Sequence, residues 1–150
     1  MFSQTVEYAL RAVVFMAGEP DRPMTTQEIA QHTLVPRGYL SKVLQYLSRA
    51  GLVTAQRGLH GGYCLARSPH QITVLDVVNA VDPVQRIHSC PLGIQMHGKN
   101  LCPLHRRLDQ ALAFIEKAFG ESTIADVLDE PSQSKPLCRV SPDGSNKQTA

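Results

Sequence analysis

The chain has 150 residues, 43% of them hydrophobic, and a formal net charge of +2. That length suits one domain, or one domain with an appendage, and a core this small gains from pairing with a second copy. No apolar run reaches the roughly 18 residues of a membrane helix, and the opening stretch carries acidic Glu7 and no basic leader, so neither a membrane span nor secretion is expected. In the cytoplasmic setting this leaves, the four cysteines are expected as thiols or metal ligands rather than disulfides.

The first predicted element is a helix over 3–18, where Val6, Leu10, Val13, Val14 and Ala17 recur at the spacing of one helical face. Residues 19–23 hold two prolines and break it. Thr25 with Glu28 three positions on forms a capping box, which predicts a short helix over 26–32. Pro36 suits the first turn of the next helix, 36–50, whose stripe Leu40, Val43, Leu44 and Leu47 should be buried. Gly51 ends it. Two short strands follow, LVTAQR and GYCLAR, joined by a glycine-rich turn, with Cys64 read as a packing residue. Thr73 caps a helix that stops at Asp82–Pro83. A loop with Cys90 and Cys102 leads into a helix over 103–119, where Leu104, Leu108, Leu112, Ile115 and Phe119 make one apolar seam. A seam this long, late in a small chain, is expected to pack against another copy; packing on its own domain is the alternative. Residues 123–129 add a last short helix, and the polar stretch from Pro131 is expected to be disordered.

A capped short helix, a tight turn, an amphipathic helix and a glycine-tipped hairpin make a winged helix-turn-helix. The expected fold is mostly α: a winged domain over 1–82 with a β-hairpin wing, a cysteine loop over 83–102 and a long C-terminal dimerisation helix in 103–130, with the tail at 131–150. The second helix is the right size for the major groove of duplex DNA. The wing would reach the adjacent groove or backbone. Gly58, Gly61 and Gly62 let its backbone turn sharply and approach phosphate. Arg57 at its base could lie along a narrow minor groove. Charge agrees: between Glu28 and Asp76 there is no acid, while Arg37, Lys42, Arg49, Arg57 and Arg67 fall there. A basic face that merely meets solvent is the plainer reading of those five charges.

These motifs carry a resemblance. YLSKVLQYLSRAGLV, then RGLHGGYCLARSP and ITVLDVVNAVD, is similar to the Rrf2 family of bacterial transcription regulators, and VEYALRAVVFMA and CPLHRRL extend the likeness over about residues 1–130. The resemblance implies a sequence-specific regulator, a repressor by expectation, binding a roughly palindromic operator as a homodimer. It places Tyr39, Ser41, Lys42 and Gln45 on the recognition face, with Arg57 and Gly61 on the wing. Lys42 is expected on phosphate rather than on a base. Tyr39 is as readily a packing residue between the two helices.

The family also includes iron–sulfur, nitric-oxide-sensing and cysteine-metabolism regulators, and its cluster-binding members carry three evenly spaced cysteines before the dimer helix. Here Cys90 and Cys102 match the outer two, and Met96 stands between them. A cluster needs four ligands, and thioether replaces thiolate poorly. The resemblance supplies two more: His105, and Glu7 reaching across the dimer, with His97 as a spare. A 2Fe-2S cluster is then the expected cofactor. Zinc, a redox-active thiol pair and no sensing chemistry at all remain open beside it. Cys138 is read as a chance cysteine. No phosphate loop or triad-like motif supports an enzyme; a metal or redox carrier that ignores DNA, and a winged helix that binds protein, are the competing classes.

Overall fold

The structure is a computed structural model that describes residues 2–97 and 100–136. The His97 side chain, Cys138 and the tail beyond 136 lie outside the described residues; 131–136 are exposed and form neither helix nor strand. Among the described residues six α-helices and one hairpin run in the order α1 (Gln4–Ala17), α2 (Thr26–Thr33), α3 (Arg37–Arg49), β1 (Val53–Gln56), β2 (Gly62–Leu65), α4 (Val74–Val81), α5 (Pro103–Gly120) and α6 (Ile124–Asp129).

Helix α1 is the centre of the core rather than a half-buried face. Val6, Tyr8, Ala9, Ala12, Val13, Val14, Met16 and Ala17 are all buried, whereas Leu10 of the expected stripe is only half-buried. The reason is that α1 packs against α2, α3, α4 and α6 at once, and Ala9 and Ala12 let those neighbours approach closely. Helix α3 behaves as its periodicity predicts: Leu40, Val43, Leu44 and Leu47 are each at most 1% exposed.

The start of α2 is capped on one side only. Thr25 Oγ1 accepts from the Glu28 N–H at 3.1 Å, but the Glu28 carboxylate takes the Arg22 guanidinium at 2.7 Å instead of reaching back. That pairing holds Glu28 below the usual carboxylate range. Complete capping boxes stand at two other starts, Thr73 with Asp76 on α4 and Thr123 with Asp126 on α6. These two starts lie antiparallel: the Val74 N–H donates to the Ser122 carbonyl at 2.9 Å and the Ile124 N–H to the Ile72 carbonyl at 2.8 Å. Helix α6 thereby returns to the N-terminal core, where Ile124 is fully buried, rather than continuing the region begun by α5.

The turn between α2 and α3 is three residues long, and Leu34 adopts a left-handed conformation in it (φ 56°). The hairpin pairs Val53 with Leu65 and Gln56 with Gly62 in antiparallel register. It is fastened to the body by a two-way bridge, Met24 N–H to the Tyr63 carbonyl and Tyr63 N–H to the Met24 carbonyl, both 2.8 Å.

No residue of α5 is buried. Its seam is divided. Phe119 sits against Phe2 with ring centroids 5.2 Å apart, and Leu112 and Ile115 line an open groove of about 460 Å³ with Phe2, Val6 and Val78. Leu104 and Leu108, in the first half, are 63% and 48% exposed.

Arg86 fastens the loop that leads to α5. Its Nε and Nη2 donate to the two Asp109 carboxylate oxygens at 2.7 Å each, and its Nη1 donates to Glu116 at 3.0 Å. The Ile87 N–H donates to Asp109 as well, at 2.9 Å. The guanidinium and that amide together push the Asp109 carboxyl down to about 2. A carboxyl whose folded value lies below its ordinary 3.8 contributes stability above that value and loses it as pH falls toward 2. Asp109→Asn is therefore expected to lower the urea midpoint at pH 6, with the gap from the wild type closing as titrations are repeated down to pH 2. A gap of constant size would deny the clamp any part in acid sensitivity.

Candidate nucleic-acid interface

The exposed side of α3 is built by what its buried stripe leaves outside. Tyr39, Ser41, Lys42, Gln45, Tyr46 and Arg49 are all exposed. Ser41 Oγ donates to the Arg37 carbonyl at 3.1 Å, which spends its proton inside the helix and leaves its lone pairs outward. Tyr39 has both characters expected of it: it is 56% exposed, yet its ring lies 5.9 Å from that of Tyr8 on α1.

The wing tip, residues 57–61, carries Arg57, Leu59 and His60 on its outside. Gly58 has φ 119°, open to glycine, and the Gly61 N–H closes the turn onto the Gly58 carbonyl at 3.0 Å. A Cβ on Gly61 would overlap the Gln56 carbonyl oxygen, so the shape of the tip requires glycine here.

Among the described residues Arg11, Arg22 and Arg86 stand in ion pairs, whereas Arg37, Lys42, Arg49, Arg57 and Arg67 stand in none. A positive face left without its own counter-ions is what a polyanion can occupy at the gain of released salt.

The residues named as cofactor ligands are only partly gathered. Cys102 caps α5, and its Sγ lies 3.2 Å from His105 Nδ1, both side chains half-buried. Cys90 is half-buried in the loop, where its carbonyl accepts the Gly93 N–H at 3.0 Å. Met96, midway between the cysteines, is 96% exposed. Glu7 lies on α1, 58% exposed in its side chain, with its carboxylate on Arg11 Nε at 3.0 Å. Among the described residues no three His, Cys, Asp or Glu side chains of one chain converge on a metal position. Cys64 is buried on β2, as a packing residue is.

Arg11 joins Glu7 to the reading head. Its Nη1 donates to the Thr33 carbonyl at the end of α2 at 3.4 Å, and its guanidinium lies 5.9 Å from the centre of the Tyr8 ring that meets Tyr39. Neither this link nor the Arg86 clamp is anticipated from the sequence, although Asp109 and Glu116, two helical turns apart, mark an acidic face that calls for a base. Tyr46 is a further omission; it stands seven residues after Tyr39 and so shares its face.

A short capped helix, a three-residue turn, an exposed second helix and an anchored two-stranded wing define a winged helix-turn-helix DNA-binding protein. The sequence model of the Rrf2 iron-dependent transcriptional regulators matches residues 2–130. Over 131 residues the chain is 32% identical to a protein of Aquifex aeolicus (strain VF5) named as an HTH-type transcriptional regulator, covering 85% of this chain and 91% of that one. Its fold is similar to that of CymR (YrzC), the global cysteine regulator of B. subtilis, with a TM-score of 0.72 at 23% identity over 88% and 98% of the two chains. T. potens IscR is similar to the same degree, TM-score 0.72 at 24% identity, over 89% and 93%. The chain belongs to the Rrf2 family. It is a DNA-binding transcriptional regulator and not an enzyme. Among the described residues no helix is long and apolar enough to cross a membrane.

Proposed function

We propose that this regulator acts in the cytoplasm as a homodimer on a roughly palindromic operator, and that the loop over 83–102 reports iron–sulfur or redox status to it. The observation that carries the DNA reading is the set of five bases, in no ion pair among the described residues, on the acid-free span that holds α3 and the wing. Tyr39, Lys42, Gln45 and Tyr46 face the major groove in this reading, with Ser41 at their edge and Arg57 at the wing. Arg57→Ala is expected to weaken operator binding several-fold and to lower the slope of log affinity against log salt by about one. Unchanged affinity and slope in a band-shift titration across salt would remove Arg57 from the interface.

Dimerisation rests on the uncovered half of α5. Leu104 and Leu108 present apolar surface to water there, and a second copy of the same helix would cover it. Two recognition helices about one DNA turn apart then follow from the two-fold axis.

The donor set fits a mixed-ligand 2Fe-2S cluster in its chemistry. Cys102 and His105 stand together already, Cys90 is free on the loop, and Glu7 is held only by an exposed ion pair. Among the described residues of one chain no three such side chains gather, and in this reading Glu7 comes from the second copy. Such a cluster, when bound, supplies a group whose loss or oxidation state can differ between conditions. This chain's own part is mechanical. Taking the Glu7 carboxylate away from Arg11 frees a guanidinium that also holds the Thr33 carbonyl and covers Tyr8. Arg11 thereby couples the ligand position to the turn before α3, and a difference of a few kcal/mol between two settings of that turn changes operator occupancy many-fold.

A further inference from the structure

The wing ends in a side chain that nothing among the described residues covers. Leu59 is 96% exposed at the outermost part of the tip. Of the other strongly exposed apolar residues, Leu92, Met96, Leu104 and Phe114 belong to α5 and the loop before it, and Leu34 lies in the turn between α2 and α3. Leu59 stands apart from them, between two polar neighbours, Arg57 and His60, that are exposed with it.

Its presentation is rigid. Both strands hold their register up to Gln56 and Gly62, and the Met24–Tyr63 bridge ties the second strand to the body. The tip itself is closed by the Gly61 N–H on the Gly58 carbonyl, with no room for a side chain on Gly61. A leucine held forward on such a support loses little freedom when it is buried, so burial of its apolar surface is nearly all gain.

We propose that Leu59 is an apolar wedge that the wing sets into the minor groove of the operator, bending the duplex there, and so contributes to which operators are accepted. The inference rests on the DNA reading above and adds a residue and a mode of readout to it. Minor-groove binders use leucine-sized wedges beside arginines: the cation is drawn by the groove's negative potential while the apolar group opens a base step. Arg57, two residues away and in no ion pair among the described residues, supplies the cation. The cost of opening depends on the step, being least at pyrimidine–purine steps such as TA and CA. Operators of this protein should therefore carry such a step where the wing falls, at a position with no hydrogen-bonding contact to explain it.

The test uses the full-length protein and duplexes selected by the wild type from a random-sequence pool. Leu59→Ala is expected to bind the selected duplexes about fivefold to tenfold more weakly, the order of one buried leucine side chain truncated to alanine, with the salt slope unchanged. It should also bend them less in a circular-permutation band shift, whereas Leu59→Phe should keep the bend. Exchanging the flexible step for a stiff A-tract step should weaken the wild type and leave Leu59→Ala nearly unaffected. Equal bending by wild type and Leu59→Ala would overturn the wedge, as would equal sensitivity of both to the exchanged step, with DNA binding itself left standing. A wild type that selects no duplex overturns the DNA reading and the wedge together. Because Leu59 packs on nothing in the chain, the variants fold, and an unchanged thermal midpoint verifies it.

Discussion

Gly62→Ala is expected to cost about 3 kcal/mol of stability, by forcing backbone against backbone where neither side can yield. A Cβ at this position would lie 2.6 Å from the Met24 carbonyl carbon and 2.9 Å from its nitrogen. These atoms belong to the two-way bridge that anchors the wing, so relief of the overlap must open that bridge. Urea denaturation reads the stability, and a band shift under native conditions reads the consequence for DNA: the wing would be present but no longer held against the body. Gly58→Ala is the contrast. It has open space around its Cβ position and only its φ of 119° to oppose a side chain. Its expected cost is about 1 kcal/mol, the strain of one residue in that conformation. Equal costs for the two would mean that conformation, not the approach of Met24, selects glycine at the root of the wing.

Cys102→Ala is the second large effect, on the cofactor rather than the fold. Wild-type protein purified without air and reconstituted with iron and sulfide is expected to show visible absorbance with bound iron. Cys102→Ala and Cys90→Ala should lose both completely, because two thiolates are the least a cluster of this kind retains. His105→Ala should lose part, and Cys64→Ala none, since Cys64 is buried in the wing strand away from the loop. Glu7→Gln should reduce iron content while also releasing Arg11, so its operator affinity should differ from that of the cluster-free cysteine variants. Colourless wild type that takes up no iron would end the cluster reading. Loss of two free thiols on peroxide treatment of that protein would then assign the same cysteines to a disulfide switch.

Several parts of this protein were legible because their cause is local. The α3 stripe needs only its own spacing to declare which side is buried, and Leu40, Val43, Leu44 and Leu47 are the side that is. The same holds for the threonine cap at 73. Order along the chain was enough to identify the helix, turn, helix and wing, and their order is the fold. The candidate site was legible to the extent that it lies on the outside of those elements: it consists of what α3 does not bury.

What lay beyond the sequence was decided by which element stands opposite which. Periodicity assigned α1 one apolar face, but four helices pack on it, so eight of its 14 residues are buried. The α5 seam looked uniform, yet its second half rests on Phe2 and its first half does not, because Phe2 comes from the far end of the chain. Glu28 left its capping box for Arg22, and Arg86 found Asp109 and Glu116 at separations of 23 and 30 residues. Cys102 and His105 meet because one helical turn brings them together, while among the described residues no third His, Cys, Asp or Glu side chain joins them. Local chemistry by itself determined the elements and which side of α3 is exposed; long-range packing decided the partners of each charge, since a side chain's spacing carries no information on what will be folded against it.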